Sequence, residues 1–384
     1  MSSKLAVVDK LNRNEEKASV TNNLVKLIAF YLPQYHPIPE NDEWWGKGFT
    51  EWTNVAKAKP LFPGHYQPHI PADLGFYDLR LPETRQEQAD LAKEYGIYGF
   101  CYYHYWFNGR RILKRPFDEV LASGKPDFPF CLCWANENWT RTWDGEEKSI
   151  LIAQNYSEED DRQHIQWLAK AFQDKRYIRI EDKPLFLVYR STKIPNPLKT
   201  TSIWRDEARK LGIGEIFLCR VESFPDEHND PTQIGFDAAV EFQPDWVNLP
   251  AALRQGKIWR LARKLGLSNM TYQDNSVFDY SSIVKLMLQK GTTPYKRFSC
   301  VTPAWDNTAR RKSKAAIFKD STPELYEDWL NAVIDSIPKK AEDNLVFINA
   351  WNEWGEGNHL EPCRKWNRAY LEATRRAVMS TNKV

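Results

Sequence analysis

The chain has 384 residues, with 53 Lys and Arg against 51 Asp and Glu, so its net charge is only +2. That balance argues against a nucleic-acid-binding protein, which needs a basic excess or stripe. A hydrophobic fraction of 42% excludes disorder as the main state. Aromatic residues are abundant, with 16 Trp, 17 Tyr and 19 Phe. Because a buried indole N–H needs a partner, so many Trp indicate a use besides packing.

The sequence also bears on the compartment of the protein. Residues 1–24 are mostly polar and mixed in charge, which predicts a flexible tail without the apolar segment of a signal peptide. No apolar run approaches 18 residues, so we expect no transmembrane helix. The six Cys lie mostly in apolar runs without zinc spacing, which favours free thiols in a reducing compartment. We therefore expect a cytoplasmic protein without structural metal.

Eight apolar runs rich in β-branched and aromatic residues predict strands buried on both faces, as in parallel sheets. They are Lys26–Gln34, Ile97–Tyr105, Pro129–Asn136, Pro184–Arg190, Ile216–Glu222, Ala238–Gln243, Phe298–Asp306 and Leu345–Trp351. Helical patterns separate many of them: Pro82–Tyr95, Glu158–Phe172, Pro197–Leu211, Ser281–Gln289, Pro323–Ile337 and Pro362–Val378. The alternation predicts an α/β fold, a (β/α)8 TIM barrel, in one catalytic domain over residues 25–384.

An open doubly wound sheet is the alternative, but no GxGxxG follows the first strand and no GxxxxGK occurs. No cofactor is therefore expected. Three connections are unusually long: Tyr35–Leu81, Glu137–Ser157 and Pro244–Tyr280. Each follows a strand, so in a barrel all three lie on the carboxyl-terminal face, where active sites are built. The basic stretch Arg254–Lys264 has helical spacing and is expected to be a solvated helix, with a membrane- or phosphate-facing patch as the alternative.

Two carboxylates mark the exit of the eighth strand, in Trp351-Asn352-Glu353-Trp354-Gly355-Glu356-Gly357. Glycine permits turns that aim both side chains into one cleft. A carboxyl pair with one acid neutral and one ionised is what glycoside cleavage requires. We therefore predict Glu353 and Glu356 as catalytic residues, against the alternative of a solvated loop pair.

Asn136-Glu137, after the third strand, repeats this chemistry beside two Trp, with a structural ion pair as the alternative. Glu241 and Asp306 end the sixth and seventh strands, where each could contact the sugar or equally orient a neighbouring residue. His104 is the best placed histidine, although a core or wall histidine is the default interpretation. Together with aromatic and amide residues at strand ends and in the long connections, they form the predicted substrate-binding set. That set is Tyr31, Trp45, Trp52, His104, Trp106, Trp134, Asn136, Glu137, Trp139, Tyr189, Glu241, Trp305, Asp306, Trp351, Asn352 and Trp354.

Four long blocks resemble the WbsX-type family of bacterial lipopolysaccharide O-antigen and capsule gene clusters, whose members are often called glycosyltransferases. The blocks are AFYLPQYHPIPENDEWWGKGFTEWTNV (Ala29–Val55), GFCYYHYWFNGR (Gly99–Arg110), CLCWANENWTRTWDG (Cys131–Gly145) and AWNEWGEGNHLEP (Ala350–Pro362). The resemblance extends from about Val25 to Val378. That family is in turn similar to glycoside hydrolase family 99, the endo-α-mannosidases and endo-α-mannanases, which are (β/α)8 barrels.

The Glu-x-x-Glu motif of those hydrolases matches Glu353 and Glu356. By this resemblance, Glu353 acts as base on the substrate's 2-hydroxyl, and a 1,2-anhydro sugar forms without a protein nucleophile. Glu356 protonates the leaving oxygen and then activates water, so configuration is retained.

Three hypotheses follow. The first is an endo-acting retaining glycosidase on a bacterial surface polysaccharide or its lipid-linked precursor. The second is a glycosyltransferase or transglycosylase that assembles that polysaccharide, although no Asp-x-Asp motif of metal-dependent transferases occurs. The third is a catalytically dead glycan-binding protein, which the intact Glu353/Glu356 pair disfavours. The expected partner is an oligo- or polysaccharide, and the sequence leaves the sugar and the oligomeric state open.

Overall fold

The computed structural model describes residues 25–141, 146–254, 256–266, 271–311, 313–338 and 344–380. The tail predicted for residues 1–24 lies outside these ranges. No helix in the described part of the chain is both long and apolar enough to cross a membrane.

Eight strands form a closed parallel barrel. They are β1 (Lys26–Tyr31), β2 (Ile97–Phe107), β3 (Phe130–Trp134), β4 (Lys183–Val188), β5 (Phe217–Glu222), β6 (Ala238–Glu241), β7 (Arg297–Val301) and β8 (Leu345–Ile348). Each strand pairs in parallel with the next, and β1 pairs with both β2 and β8. All eight coincide with the predicted runs, so the predicted (β/α)8 barrel is confirmed.

The apolar runs are explained by burial on both faces. Every residue of β3 (FCLCW) and β8 (LVFI) is buried, because one face packs inside the barrel and the other against helices. All six Cys are free and buried, as the sequence predicted.

The described helices are α1 (Pro39–Trp45), α2 (Glu51–Lys57), α3 (Pro82–Glu94), α4 (Arg115–Ser123), α5 (Glu158–Phe172), α6 (Pro197–Lys210), α7 (Lys257–Lys264), α8 (Thr271–Asp274), α9 (Tyr280–Leu288), α10 (Pro323–Ser336) and α11 (Ala369–Ser380). Side chains fix several helix starts: Ser157 accepts from the Asp160 N–H, and Thr322 from the Leu325 N–H. The connection from β5 to β6 has only 3-10 turns at Pro225–Glu227 and Pro231–Ile234.

Five helices differ from the prediction. Helices α1, α2, α4 and α8 were not predicted, and α11 begins at Ala369 rather than Pro362. The reason for the later start of α11 is that residues 362–364 bond to the β1–α3 connection: the Ala72 N–H donates to the Pro362 carbonyl, and the Arg364 N–H to that of Ile70. Backbone groups used in this way are not available to start a helix.

Short strands fold the long connections over the carboxyl-terminal face of the barrel. Trp139–Arg141 pairs antiparallel with Glu146–Ile152 between β3 and α5. Ser276–Asp279, before α9, pairs in parallel with Ala316–Lys319, which follows β7. Asn352–Glu353 pairs antiparallel with Asn358–His359 just after β8. The remaining long connection, Tyr35–Leu81, reaches the same face through Glu51, which accepts from Arg310 Nε after β7.

Candidate active site

The turn after β8 presents the two predicted catalytic glutamates. Asn352–Glu353 and Asn358–His359 form its two strands, and Trp354–Glu356 a single 3-10 turn between them. Gly357 closes the turn at φ +55°, in the left-handed region that glycine enters without strain. The hairpin thereby brings Glu353 and Glu356 to one side of the barrel mouth.

Arg310, from the connection after β7, joins three carboxylates. Its Nη2 lies 2.8 Å from Glu353 Oε2, its Nη1 2.8 Å from Glu356 Oε1, and its Nε 2.8 Å from Glu51 Oε1. The planar guanidinium suits this task because its donors have fixed directions. We call Arg310, Glu51, Glu353 and Glu356 the carboxylate cluster.

Gly355 is required by the close approach of Glu51. A Cβ at position 355 would lie 1.9 Å from Glu51 Oε1 and 2.8 Å from Arg310 Nε. Glu51, from α2, is completely buried, so it reaches Arg310 directly beneath the catalytic turn. A side chain at this position would push the carboxylate away from the guanidinium.

Burial controls the protonation of the pair. It raises the pKa of Glu353 to about 8, and the neighbouring Glu356 and Glu51 add to this effect while Arg310 opposes it. Burial likewise raises the pKa of Glu356, with Arg310 again opposing. Because each charge disfavours the other, the two groups titrate as a pair that can hold one proton near neutral pH. A carboxylic acid and a carboxylate can therefore coexist on one guanidinium.

Buried hydrogen bonds hold the turn in place. Tyr35 Oη donates to the Asn352 carbonyl (2.5 Å) and accepts from the Trp354 N–H (3.1 Å). The Trp354 ring stacks on His359 at 3.7 Å, and its Nε1 donates to Glu361 at 2.6 Å. Trp354 is therefore a support beneath the turn rather than a sugar platform, which corrects its predicted role.

The carboxylate cluster opens into a cleft of about 580 Å³. Aromatic rings from several strand ends line it: Tyr103, Tyr105, Phe107, Trp139, Tyr189, Phe224, Phe242, Trp246 and Trp305. Its charged lining residues are Glu137, Glu353, Glu356, Arg310, Arg311 and Lys314. Flat rings beside carboxylates suit a sugar, whose C–H faces pack on rings while hydroxyls bond to acids.

The structure brings four of the predicted substrate-binding residues to this cleft: Glu137, Trp139, Tyr189 and Trp305. Glu137 Oε1 accepts from Arg190 Nη1 at 2.8 Å.

Six predicted residues belong to the core instead: Tyr31, Trp52, His104, Trp106, Trp134 and Trp351. Five of them use a side-chain polar atom in a hydrogen bond there; for example, Trp106 Nε1 donates to Asp160 of α5 and Tyr31 Oη to Gln88 of α3. The physical reason is strand alternation, since neighbouring side chains point to opposite faces. On β2, Tyr103 and Tyr105 line the cleft, whereas His104 and Trp106 pack against α5.

Five more predicted contacts lie outside the cleft lining. Asn136 and Asn352 are buried and bond to neighbouring backbone. Asp306 accepts from Gln67 and contacts His65 at 2.5 Å. Glu241 is paired with Lys290 and Arg297. Trp45 is half-buried beside Phe49. Asn136, Asn352, Asp306 and Glu241 thus bond to other protein groups and Trp45 packs on Phe49, so the structure places all five outside the cleft lining.

Sequence reasoning missed the cation and the third carboxylate of the cluster. Glu51 stands in one of the four recognised blocks, and Arg310 follows a barrel strand, which is a signal for site residues in this fold. Among the described residues, no group of three or more His, Cys, Asp and Glu is placed to hold a metal ion.

Known proteins were compared with the chain. A family model described as glycosyltransferase WbsX matches residues 27–374. Two proteins of Xanthomonas campestris pv. campestris, from strains B100 and ATCC 33913, are each called uncharacterized protein WxcX. Both are 46% identical over 354 residues, which is 92% of this chain and 49% of theirs. The chain thus spans about half the length of these curated relatives.

Solved structures share the fold at low identity. A glycoside hydrolase-like protein superposes with a TM-score of 0.59 at 14% identity, covering 93% of this chain and 94% of the other. A GH99 endo-alpha-mannosidase from Bacteroides thetaiotaomicron gives a TM-score of 0.56 at 18% identity, covering 93% and 97%.

Proposed function

The chain belongs to the glycosyltransferase WbsX family and is a carbohydrate-active enzyme, and from that premise we propose that it is an endo-acting, retaining glycoside hydrolase. Its substrate would be a bacterial surface polysaccharide or a precursor, including a lipid-linked one. The observation that carries the proposal is the Glu353/Glu356 pair on one guanidinium at the floor of an aromatic cleft.

The proposed first step needs one ionised and one protonated carboxyl. Glu353 removes the proton of the sugar 2-hydroxyl, and that oxygen attacks the anomeric carbon from the face opposite the leaving group. The bond to the leaving oxygen breaks as Glu356 gives that oxygen its proton. The products are a 1,2-anhydro sugar and the released saccharide, with no bond to the protein.

The second step reverses these roles. Glu356, now ionised, removes a proton from water, which attacks the anomeric carbon and opens the three-membered ring. Glu353 returns its proton to the 2-oxygen. Two inversions at one carbon give net retention, and both glutamates end in their starting states.

Substrate binding supports the required proton distribution. In the empty cleft, burial favours the proton on Glu353, whose pKa is about 8. A hydroxyl that donates to Glu353 stabilises its charged form and so lowers its pKa. The single proton then resides on Glu356, where the leaving oxygen needs it.

Transfer is the second candidate, favoured by the description of the matching family as a glycosyltransferase. The same pair could pass the sugar to an acceptor hydroxyl instead of water. Incubation with the cognate surface polysaccharide, with and without nucleotide sugars, separates the two. Shorter saccharides of retained configuration, formed without nucleotide sugar, are expected. Product that appears only with a nucleotide sugar would overturn hydrolysis.

A further inference from the structure

Asp306 lies beside the catalytic turn, in the connection that follows β7. It is buried, and both of its carboxylate oxygens are bonded. Oδ2 accepts from His65 Nε2 at 2.5 Å and from Gln67 Nε2 at 2.9 Å. Oδ1 accepts from the Thr308 N–H at 3.0 Å and from Thr308 Oγ1 at 2.6 Å. Because a carboxylate offers about four acceptor positions, these bonds occupy it completely.

The direction of the bond from His65 follows from the other nitrogen of its ring. The Leu61 N–H donates to His65 Nδ1 at 3.0 Å, so that nitrogen carries no proton. The proton of the ring therefore lies on Nε2, which donates to Asp306. Burial raises the pKa of Asp306, but its interactions with His65 and Thr308 outweigh burial and hold that pKa below the ordinary value. Asp306 is thus an anion that is anchored to the β1–α3 connection.

The backbone of Asp306 holds the segment that carries Glu356. The Asp306 N–H donates to the Glu356 carbonyl at 2.6 Å. The two segments also pack at the next residue, since a Cβ on Gly357 would lie 3.0 Å from Asp306 Cβ and 3.2 Å from the Asp306 carbonyl oxygen. The position of the Glu356 main chain therefore depends on Asp306.

The side chain of Asp306 directs the chain toward Arg310. Its carboxylate caps the single 3-10 turn Asn307–Ala309. Arg310 follows that turn directly, and its N–H donates to the Asn307 carbonyl at 3.1 Å. Arg310 Nη1 in turn lies 2.8 Å from Glu356 Oε1. Both partners of this ion pair are thus attached to Asp306, one through its N–H and the other through its carboxylate.

We propose that Asp306 is a positioning residue of the active site, which holds Glu356 and Arg310 at the separation that proton transfer requires. Asp306 acts through these two groups, because it lies outside the cleft lining and has no contact with the substrate. His65 and Gln67 anchor it to the β1–α3 connection. The inference rests on the proposed function and deepens it by naming the group that keeps the acid on its guanidinium.

Asp306→Asn tests the proposal with little change of shape. An amide presents one acceptor oxygen and one NH2 group, so the donors on one side of the side chain must face another donor. The capped turn or its anchor then shifts, and Arg310 moves away from Glu356. Burial raises the pKa of Glu356 and Arg310 opposes that rise. In the variant, the pKa of Glu356 should therefore increase by about 1.

The titration is measured on the full chain without any glycan. Carbon NMR follows glutamate side chains labelled with ¹³C at the carboxyl, and the resonance missing in Glu356→Gln identifies Glu356. The matched control is Asp230→Asn, which should leave this titration unchanged. Asp230 caps the turn Pro231–Ile234 with the same two bonds, from the Thr232 N–H at 2.9 Å and from Thr232 Oγ1 at 2.7 Å.

A purely structural role of Asp306 predicts a different result. Both Asp variants would then have lower melting temperatures, while Glu356 titrates as in the parent chain, and this outcome would overturn the inference. If Asp306→Asn does not fold, Thr308→Val decides, because it removes only the hydroxyl from the cap. Against its control Thr232→Val, it should raise the same pKa by a smaller amount, and an unchanged titration would again refute the proposal.

Kinetics separate this inference from the proposed function. On the surface polysaccharide that the parent chain cleaves, Asp306→Asn should lower kcat about ten- to a hundredfold and change KM by less than about twofold. A raised KM with an unchanged kcat would contradict a positioning role. A raised pKa of Glu356 without cleavage of any glycan would contradict the hydrolase and retain the positioning by Asp306. Cleavage with an unchanged titration would do the reverse.

Discussion

Asn-Glu follows two barrel strands in this chain, at Asn136-Glu137 after β3 and at Asn352-Glu353 after β8. The two asparagines form the same pair of hydrogen bonds to neighbouring backbone. Asn136 accepts from the Arg190 N–H (2.8 Å) and donates to the Arg190 carbonyl (2.8 Å). Asn352 accepts from the Leu32 N–H (2.7 Å) and donates to the Leu32 carbonyl (3.1 Å). Each side-chain amide thus joins the carboxyl end of one strand to the carboxyl end of the neighbouring strand.

The two glutamates differ in their surroundings. The Glu353 side chain is 6% exposed and shares Arg310 with two other carboxylates. Glu137 is 43% exposed and shares Arg190 with Asp226 and the buried Glu227. Burial raises the pKa of Glu353 to about 8, whereas Glu137 keeps access to water. The same dipeptide therefore gives a buried carboxyl at one exit and a partly exposed one at the other, which fits the roles of proton transfer and substrate binding that we propose for them.

The largest expected difference is in turnover. Glu356→Gln keeps the shape of the side chain but removes the acid, so cleavage of the cognate polysaccharide should fall about 10³-fold. Glu137→Gln should change turnover by less than about tenfold and act mainly on KM, because it removes a binding contact. Steady-state kinetics measure both. Retained turnover in Glu356→Gln would show that Glu356 is not the general acid.

Arg310→Met should be the next largest change. It leaves three carboxylates without their cation, and we expect about 3–5 kcal/mol of lost stability and about a hundredfold lower turnover. Arg190→Met is the matched control and should cost less, since water reaches Glu137 and Asp226 and only Glu227 is left as a buried carboxylate without its cation. Urea unfolding with activity assays measures the pair, and equal losses would show that the two arginines have equivalent roles.

Gly355→Ala tests the space beneath the catalytic turn. The new methyl group would displace Glu51 from Arg310, at a cost of about 1–3 kcal/mol and a roughly tenfold loss of turnover. Gly291→Ala is the control, because a Cβ there meets no heavy atom within 4 Å. In thermal unfolding, Gly355→Ala should have a lower melting temperature than Gly291→Ala. Similar melting temperatures would show that the turn can move to accommodate the methyl group.

A further expected effect is in the pH dependence of stability. Because the pKa of Glu353 is about 8 when folded and ordinary when unfolded, the folded chain binds the extra proton between these values. The contribution of this group to the free energy of unfolding therefore falls as pH rises from about 4.5 to 8. Glu353→Gln should flatten that decline in urea titrations at several pH values, because glutamine cannot take up the proton. An identical slope in the variant and the parent chain would contradict the raised pKa.

The barrel could be predicted from the sequence because strands that are buried on both faces form continuous apolar runs. Cys131, Leu132 and Cys133 are all buried within β3, although the side chain of Leu132 points to the opposite face from the two Cys. The Glu353/Glu356 pair could also be singled out as a candidate site from the sequence, since two acids between tryptophans and glycines make neither good core nor ordinary surface.

The lining of the cleft could not be predicted as well. Along Tyr103, His104, Tyr105 and Trp106, successive side chains point to opposite faces of the strand. All four are aromatic, so the sequence does not tell which two of them face the cleft. Arg310 stands in a run that has the composition of a solvated basic loop. Only the fold brings that run against Glu51, a residue 259 positions away.

The hydrogen bond from Tyr35 to the Asn352 carbonyl joins residues 317 positions apart, and it has a consequence for the timing of synthesis. A nascent chain presents Tyr35 and Glu51 early, yet Arg310, the partner of Glu51, follows β7, and the Asn352 carbonyl follows β8. Glu353 and Glu356 take up their positions only after β8 has been synthesised and pairs with β1. On the proposed mechanism, a chain that ends before β8 therefore lacks both the base and the acid.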